Sequence, residues 1–231
     1  MQASPPSSTL AFDGLLLIVG GGRVDDDLLR DLYLSGGHLV GVDGGADTIV
    51  AAGLTPEAII GDFDSLSNPV AWLGRTRLMK IEEQDSTDFE KALYSTDAPV
   101  TVALGVTGDR LDHTLATIDA LARYGRDRTI VLVDDMDVAV TMSGPFTFEV
   151  ARGERVSIHP LAPVTFRHSR GLKYPLDRVT LAPAVRTGTS NIATDGSFTI
   201  QPEAGQVAPW LLILERDNVF RLIASLLAGV L

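Results

Sequence analysis

Three clusters of carboxylates carry the chemistry legible in this sequence. The first is Gly61-Asp62-Phe63-Asp64-Ser65, the second Asp85-Ser86-Thr87-Asp88 followed by Lys91, and the third Thr107-Gly108-Asp109-Arg110-Leu111-Asp112-His113. Asp62 and Asp64 stand two apart, so in an extended segment their side chains share a side. Lys91 falls one helical turn after Asp88, on the same face. Carboxylates gathered at close range repel, and one of a pair tends to keep a proton. A hard divalent cation removes that conflict. Mg²⁺ takes oxygen ligands, commonly one or two carboxylates plus the phosphates of a substrate. Arg110 and Lys91 would then meet phosphate oxygens, and a helix N-terminus would offer free N–H groups to the same anion. Together these features describe a metal–nucleotide site.

Each cluster alone has a plainer explanation. An Asp at a helix start is usually a cap, which suits Asp85, Asp88 or Asp112 taken singly. Asp62 and Asp64 could be turn formers, and His113 alone reads as structural. Gly20-Gly21-Gly22 does not complete a G-x-G-x-x-G, and no G-x-x-x-x-G-K-[ST] occurs, which excludes a P-loop. The combination is what points to a site.

The elements that must position these clusters follow from the hydrophobic pattern. Leu15–Val19, His38–Val42, Ala58–Ile60, Val100–Leu104 and Thr129–Val133 read as strands. Asp25–Leu34, Asp47–Ala52, Ser86–Tyr94 and Leu111–Tyr124 read as helices between them. Alternation of this kind predicts a mostly parallel sheet with helices on both faces and ligands at the carboxyl ends of the strands. The polar clusters fall at those ends. Beyond them Val156–His159, Val164–His168, Ser197–Gln201 and Trp210–Leu214 are short strand patterns, as in a small all-β sandwich or open barrel. From Asp217, Val219, Leu222, Ile223, Leu226, Leu227 and Val230 form one apolar helical stripe.

The charge changes where this texture changes. Residues 1–148 carry 23 acidic and 10 basic side chains, whereas 149–231 carry 7 and 9. The expected organisation is therefore a loose tail over 1–12, an α/β unit over 13–148, a sandwich-like unit over 149–216 and an amphipathic helix over 217–231. The whole chain of 231 residues has net charge −11, a poor match to nucleic acid. It has no cysteine, so thiolate zinc sites, disulfides and a cysteine nucleophile are ruled out. No targeting segment or membrane span is expected, and the cytoplasm is the expected compartment.

The ordered set of motifs resembles the thiamine pyrophosphokinase family. It comprises Val42-Asp43-Gly44-Gly45-Ala46, the three clusters above with the second extended through Phe89-Glu90-Lys91-Ala92-Leu93, Gly171-Leu172-Lys173-Tyr174-Pro175-Leu176, and Gly188-Thr189-Ser190-Asn191. The resemblance implies an α/β domain followed by a β-sandwich, and a homodimer with the thiamine pocket between subunits. It implies transfer of a pyrophosphoryl group from ATP to the hydroxyl of thiamine, giving thiamine diphosphate and AMP.

By that resemblance Asp62, Asp64 and Asp88 hold Mg²⁺, and Lys91, Arg110 and Asp112 engage or order ATP. Asp43, Gly44, Gly45, Thr107, Gly108 and His113 are expected around the nucleotide, and Ser190 and Asn191 near thiamine. Asp85 or Asp88 is the expected acceptor of the hydroxyl proton. Two departures stand out. Some relatives stack a Trp of the last strand on thiamine, whereas here Leu212 is nearer that position than Trp210. The tail after Asp217 also exceeds the usual ending. The alternatives are a pyrophosphokinase for another hydroxymethyl acceptor such as a pterin, and a non-catalytic nucleotide or thiamine binder. A binder has no need of so many carboxylates beside a lysine and an arginine.

Overall fold

The structure, a computed structural model, describes residues 9–108 and 110–229. Asp109, Val230 and most of the expected N-terminal tail lie outside the described residues. The described chain divides into two compact units, 9–117 with 133–135, and 118–132 with 136–229.

The first unit begins with β1 (Leu10–Ala11), so the last part of the expected loose tail is a strand. It pairs in parallel with β6 (Thr96–Asp97). β2 (Leu15–Val19) is followed by α1 (Asp26–Leu34), β3 (Gly37–Val42), α2 (Gly45–Ala51), β4 (Ala58–Gly61), β5 (Arg77–Lys80), α3 (Asp88–Ser95) and β7 (Val100–Leu104). Five strands pair in parallel in the order β7-β2-β3-β4-β5. β2, β4 and β7 are buried along their whole length, which explains their unbroken apolar sequences. β5 was not evident in the sequence because it is an edge strand with half-exposed residues and no apolar run.

Helix ends also moved. Asp25 is the N-cap of α1 and accepts from the N–H groups of Asp27 (3.1 Å) and Leu28 (3.2 Å). α3 starts at Asp88, not Ser86, because Thr87 caps it by accepting from Glu90 N at 3.3 Å. α2 starts earlier than expected, at Gly45, whose backbone lies so close to the end of β2 that a Cβ would stand 1.9 Å from the Val19 carbonyl oxygen. Only glycine fits there.

α4 (Leu111–Tyr124) and β8 (Ile130–Val133) follow. The second unit then continues through β9 (Asp137–Met142), β10 (Phe146–Glu149), β11 (Arg155–Pro160), β12 (Val164–Arg170), β13 (Val179–Leu181), β14 (Gly188–Ile192), β15 (Ser197–Pro202) and β16 (Trp210–Glu215). Antiparallel pairing joins β14-β11-β16-β9 in one run and β10-β15-β12-β13 in another. β9 pairs with β16, so antiparallel structure starts before the change of charge at residue 149. Trp210 is fully buried and packs perpendicular to Phe166, with ring centroids 5.5 Å apart. It is a core residue, in keeping with the absence of an assigned stacking role.

A short 3₁₀ turn, Arg216–Asn218, leads into α5 (Val219–Ala228). Of the stripe expected from the sequence, Val219, Leu222, Ile223 and Leu226 are buried, Leu227 is half-buried and Val230 lies outside the described residues. No helix among the described residues is long and apolar enough to cross a membrane.

Candidate metal–nucleotide site

The first unit builds its site where the direction of winding changes. β2 has β3 on one side and β7 on the other, so the chains leaving β2 and β7 diverge. That divergence opens a crevice at the carboxyl ends of the strands. A cavity of about 490 Å³ lies there, within the ordinary range of small-molecule sites. Gly20-Gly21-Gly22 and Gly105 form one wall, and Asp43, Gly44, Ser65, Thr87 and Asp88 another. Thr107, Arg110 and His113 also line it. Gly20 donates to the Leu104 carbonyl at 2.8 Å, and Gly22 to the Gly105 carbonyl at 2.9 Å. The three-glycine run therefore allows close packing of two loops.

The acidic centre adjoins this cavity. One carboxylate oxygen from each of Asp43, Asp62 and Asp64 lies within 4.8 Å of the others. Of the two readings open for Asp62 and Asp64, an extended segment or a turn, the structure has the turn. Phe63 takes a left-handed φ of 70°, and Asp64 N donates to Asp62 Oδ1 at 3.2 Å. The Phe63 ring packs on the apolar cluster of Ala46, Ile59, Leu66 and Trp72. The convergence of the two carboxylates thus comes from a strained turn whose middle side chain is anchored. Asp47 Oδ2 fixes the far end by accepting from Ser67 N (3.1 Å) and Ser67 Oγ (2.7 Å).

Asp43 is the member of this group that spacing alone did not place beside Asp62 and Asp64. It follows β3 with φ 47° and is only 5% exposed. Its Oδ2 accepts from Ser65 N at 3.0 Å, whereas its Oδ1 is buried with no hydrogen-bond partner among the described residues. An oxygen left bare in this way, on a residue that converges with two more carboxylates, fits a cation that prefers oxygen ligands. Burial foremost, with the neighbouring Asp64 and Asp88, pushes the Asp43 pKa up to about 6 against the pull of Ser65.

Asp88 stands beside this group and is tied to it through Lys91. The ammonium is almost fully buried, 2.9 Å from Asp88 Oδ1 and 3.8 Å from Asp62 Oδ2. Gln84 donates to Asp62 Oδ2 at 3.1 Å. That bond is the main reason the Asp62 pKa is lowered; Asp64 N and Lys91 help, against partial desolvation. Asp85 is exposed, and its own N–H donates to Glu83 at 2.7 Å. Neither Glu83 nor Gln84 drew attention in the sequence, where they extend an ordinary acidic stretch.

At the third cluster Thr107 donates to Asp134 at 3.3 Å, and Gly108 N donates to Thr114 Oγ1 at 3.2 Å. Arg110 grips Asp112 through two nitrogens, at 2.6 and 3.2 Å. The pair is exposed, and its hydrogen bonds raise the Arg110 pKa and lower that of Asp112. Asp112 also accepts from His113 N at 3.0 Å.

Ser190 and Asn191 belong to the second unit, in β14. Ser190 is exposed with φ 59°, opposite a register shift in β11, and its N–H donates to Ser157 Oγ at 2.9 Å. The Asn191 amide is buried and engaged with the chain. It accepts from Tyr174 N at 3.0 Å and Ile192 N at 2.9 Å, and donates to the Tyr174 carbonyl at 2.8 Å. Asn191 therefore fastens the Gly171–Leu176 loop.

The raised pKa of Asp43 has a testable consequence. The unfolded residue releases its proton near 3.8 and the folded one near 6. Between those values the folded state binds more protons, so stability falls as pH rises through this window and the loss is complete above about 6. Asp43→Asn is expected to remove the fall and to stabilise the metal-free protein at pH 7 by about 2 kcal/mol. A cation must displace the same proton, so stabilisation by Mg²⁺ should weaken as pH drops below about 6. Urea unfolding from pH 4.5 to 7.5, with and without Mg²⁺, measures both. A wild-type profile identical to that of Asp43→Asn would contradict the assignment.

Known proteins are similar to this chain in sequence and in fold. A family model described as the catalytic domain of thiamin pyrophosphokinase matches residues 30–133. Thiamine pyrophosphokinase of Bacillus subtilis (strain 168) is 27% identical over 177 residues, covering 69% of this chain and 81% of that protein. Thiamin pyrophosphokinase 1 of Caenorhabditis elegans is 26% identical over 167 residues, covering 66% and 68%. The crystal structure of thiamin pyrophosphokinase from Geobacillus thermodenitrificans aligns with a TM-score of 0.71 at 28% identity, over 87% of this chain and 97% of that one. In sequence over residues 30–133, and in fold over most of its length, the chain is similar to thiamin pyrophosphokinases.

Proposed function

We propose that the chain is a thiamine pyrophosphokinase, moving the β,γ-pyrophosphoryl group of ATP onto the hydroxyl of thiamine and releasing AMP. Its relatives' names support the activity. The observation that carries the reading in this chain is the meeting of Asp43, Asp62 and Asp64 within 4.8 Å beside the glycine-walled cavity. Those three residues, with Asp88 beside them, would hold Mg²⁺. When bound, the ion would neutralise charge on the phosphate oxygens.

The remaining roles follow from the side chains. Lys91 fixes Asp62 and Asp88, because an ammonium placed between two carboxylates offsets their charge where burial alone would not. Arg110 sits on the cavity wall and supplies a planar cation for a phosphate. The open backbone of Gly20–Gly22 and Gly44 admits a nucleotide closely. For the hydroxyl proton, Asp85 is the better-placed acceptor, since its carboxylate is exposed whereas Asp88 Oδ1 already accepts from Lys91 at 2.9 Å. Such chemistry is mainly positioning and charge stabilisation.

In the second unit the two antiparallel runs are read as the sandwich that contributes thiamine contacts. Ser190 would offer its exposed hydroxyl, and Asn191 would act by holding the Tyr174 loop. The resemblance further supports a cytoplasmic homodimer that contacts neither nucleic acid nor membrane.

Incubation with ATP, Mg²⁺ and thiamine tests the reading. The expected result is AMP and thiamine diphosphate in equal amounts, and no AMP without thiamine. Formation of AMP with a hydroxymethylpterin alone, or with neither acceptor, would overturn it.

A further inference from the structure

Glu83 was not among the residues expected to do chemistry, yet its carboxylate is saturated with donors. Oε2 accepts from Asp85 N at 2.7 Å and from Ser86 N at 3.1 Å. Oε1 accepts from the Ser86 hydroxyl and, at 2.9 Å, from the Tyr94 hydroxyl. The hydrogen bonds from Ser86, Tyr94 and Asp85 outweigh partial burial and hold its pKa below the usual glutamate range. A local turn would account for the bonds to Asp85 and Ser86. It does not account for Tyr94, which reaches back from α3.

The donors belong to two pieces of the site. Asp85 and Ser86 form the loop that enters α3, and Tyr94 lies one turn beyond Lys91 on the same helix. Glu83 thereby fastens the loop to the helix that carries Asp88 and Lys91. Its chain neighbour Gln84 is the residue that donates to Asp62 Oδ2 at 3.1 Å. Loop placement and the orientation of a ligand carboxylate are thus set together.

The geometry points to Glu83, braced by Tyr94, as a positioning residue for the cation site: it fixes the Gln84–Asp88 loop and, through Gln84, the set of Asp62. The inference rests on the metal–nucleotide reading of the site. Groups that orient metal ligands typically change affinity about 10- to 100-fold when altered. Glu83→Gln keeps the shape but replaces one acceptor oxygen by a donor facing N–H or O–H groups. Tyr94→Phe removes a single hydroxyl.

Mn²⁺ is the probe, titrated into the full chain and followed by electron paramagnetic resonance, with thermal unfolding in parallel. Glu83→Gln should weaken Mn²⁺ binding about tenfold, and Tyr94→Phe by a smaller factor. The double variant should lose clearly less than the product of the two single losses, because the hydroxyl and the carboxylate share one bond. Affinities within twofold of wild type for both single variants would overturn the inference, as would losses that multiply in the double variant. Should Glu83→Gln fail to fold, Tyr94→Phe decides alone. A wild-type chain that binds Mn²⁺ but forms no AMP from ATP, Mg²⁺ and thiamine would defeat the kinase reading and leave this one standing.

Discussion

Asp62→Ala is expected to lower AMP formation about a thousandfold while the protein stays folded, equivalent to about 4 kcal/mol of barrier. Asp62 combines the most roles in the site. It is one of the three convergent carboxylates, it accepts from Asp64 N, and it is held by Gln84 and Lys91. Alanine removes a ligand and also the cap of the turn that brings Asp64 into place. The loss should not appear in the metal-free stability, because deleting one of several clustered negative charges relieves repulsion. Thermal unfolding without metal should therefore match or exceed wild type. Extra Mg²⁺ should recover little of the rate. Turnover within tenfold of wild type at saturating Mg²⁺ would contradict the assignment.

Lys91→Met should show the opposite pattern, with stability and activity falling together. The ammonium is 2% exposed, and its partners Asp88 and Asp62 are 27% and 17% exposed. Removing one partner of a buried ion pair leaves uncompensated charge and costs about 3–5 kcal/mol. Here the orphaned charges are carboxylates beside a cation site, so Mg²⁺ should restore part of the lost stability. Urea unfolding with and without Mg²⁺ measures this, and the rescue should exceed that of wild type. A Lys91→Met protein as stable as wild type without metal would show that the ammonium does not offset the aspartates.

What the sequence disclosed follows from which physical signals are local. β2, β4 and β7 are buried on both faces, so each is an unbroken apolar run. β5 has no such run because it is a half-exposed edge strand. β9 is buried in its middle, but its apolar run is only Val138-Ala139-Val140 between Asp137 and Thr141, too short to read as a strand although Gly144-Pro145 follows it. The acidic clusters were legible because residue type and spacing limit their chemistry. The membership of Asp43 in the convergent group was not, since it depends on a left-handed turn and a bare buried oxygen. The same holds for Phe63, whose backbone, not an extended strand, aims Asp62 and Asp64 together. Glu83 and Gln84 looked like solvated acidic surface, and only folding shows what their side chains reach. Asn191 illustrates the converse: its motif drew attention to ligand chemistry, whereas its amide is engaged by backbone.

The most direct measurement is the anomalous scattering of Mn²⁺ in crystals of the chain grown with a non-hydrolysable ATP analogue. The account predicts a peak at about 2.0–2.3 Å from oxygens of Asp43, Asp62 and Asp64 and from a phosphate of the analogue. Manganese bound elsewhere, with these three carboxylates touching no ion while the analogue occupies the cavity, would contradict it.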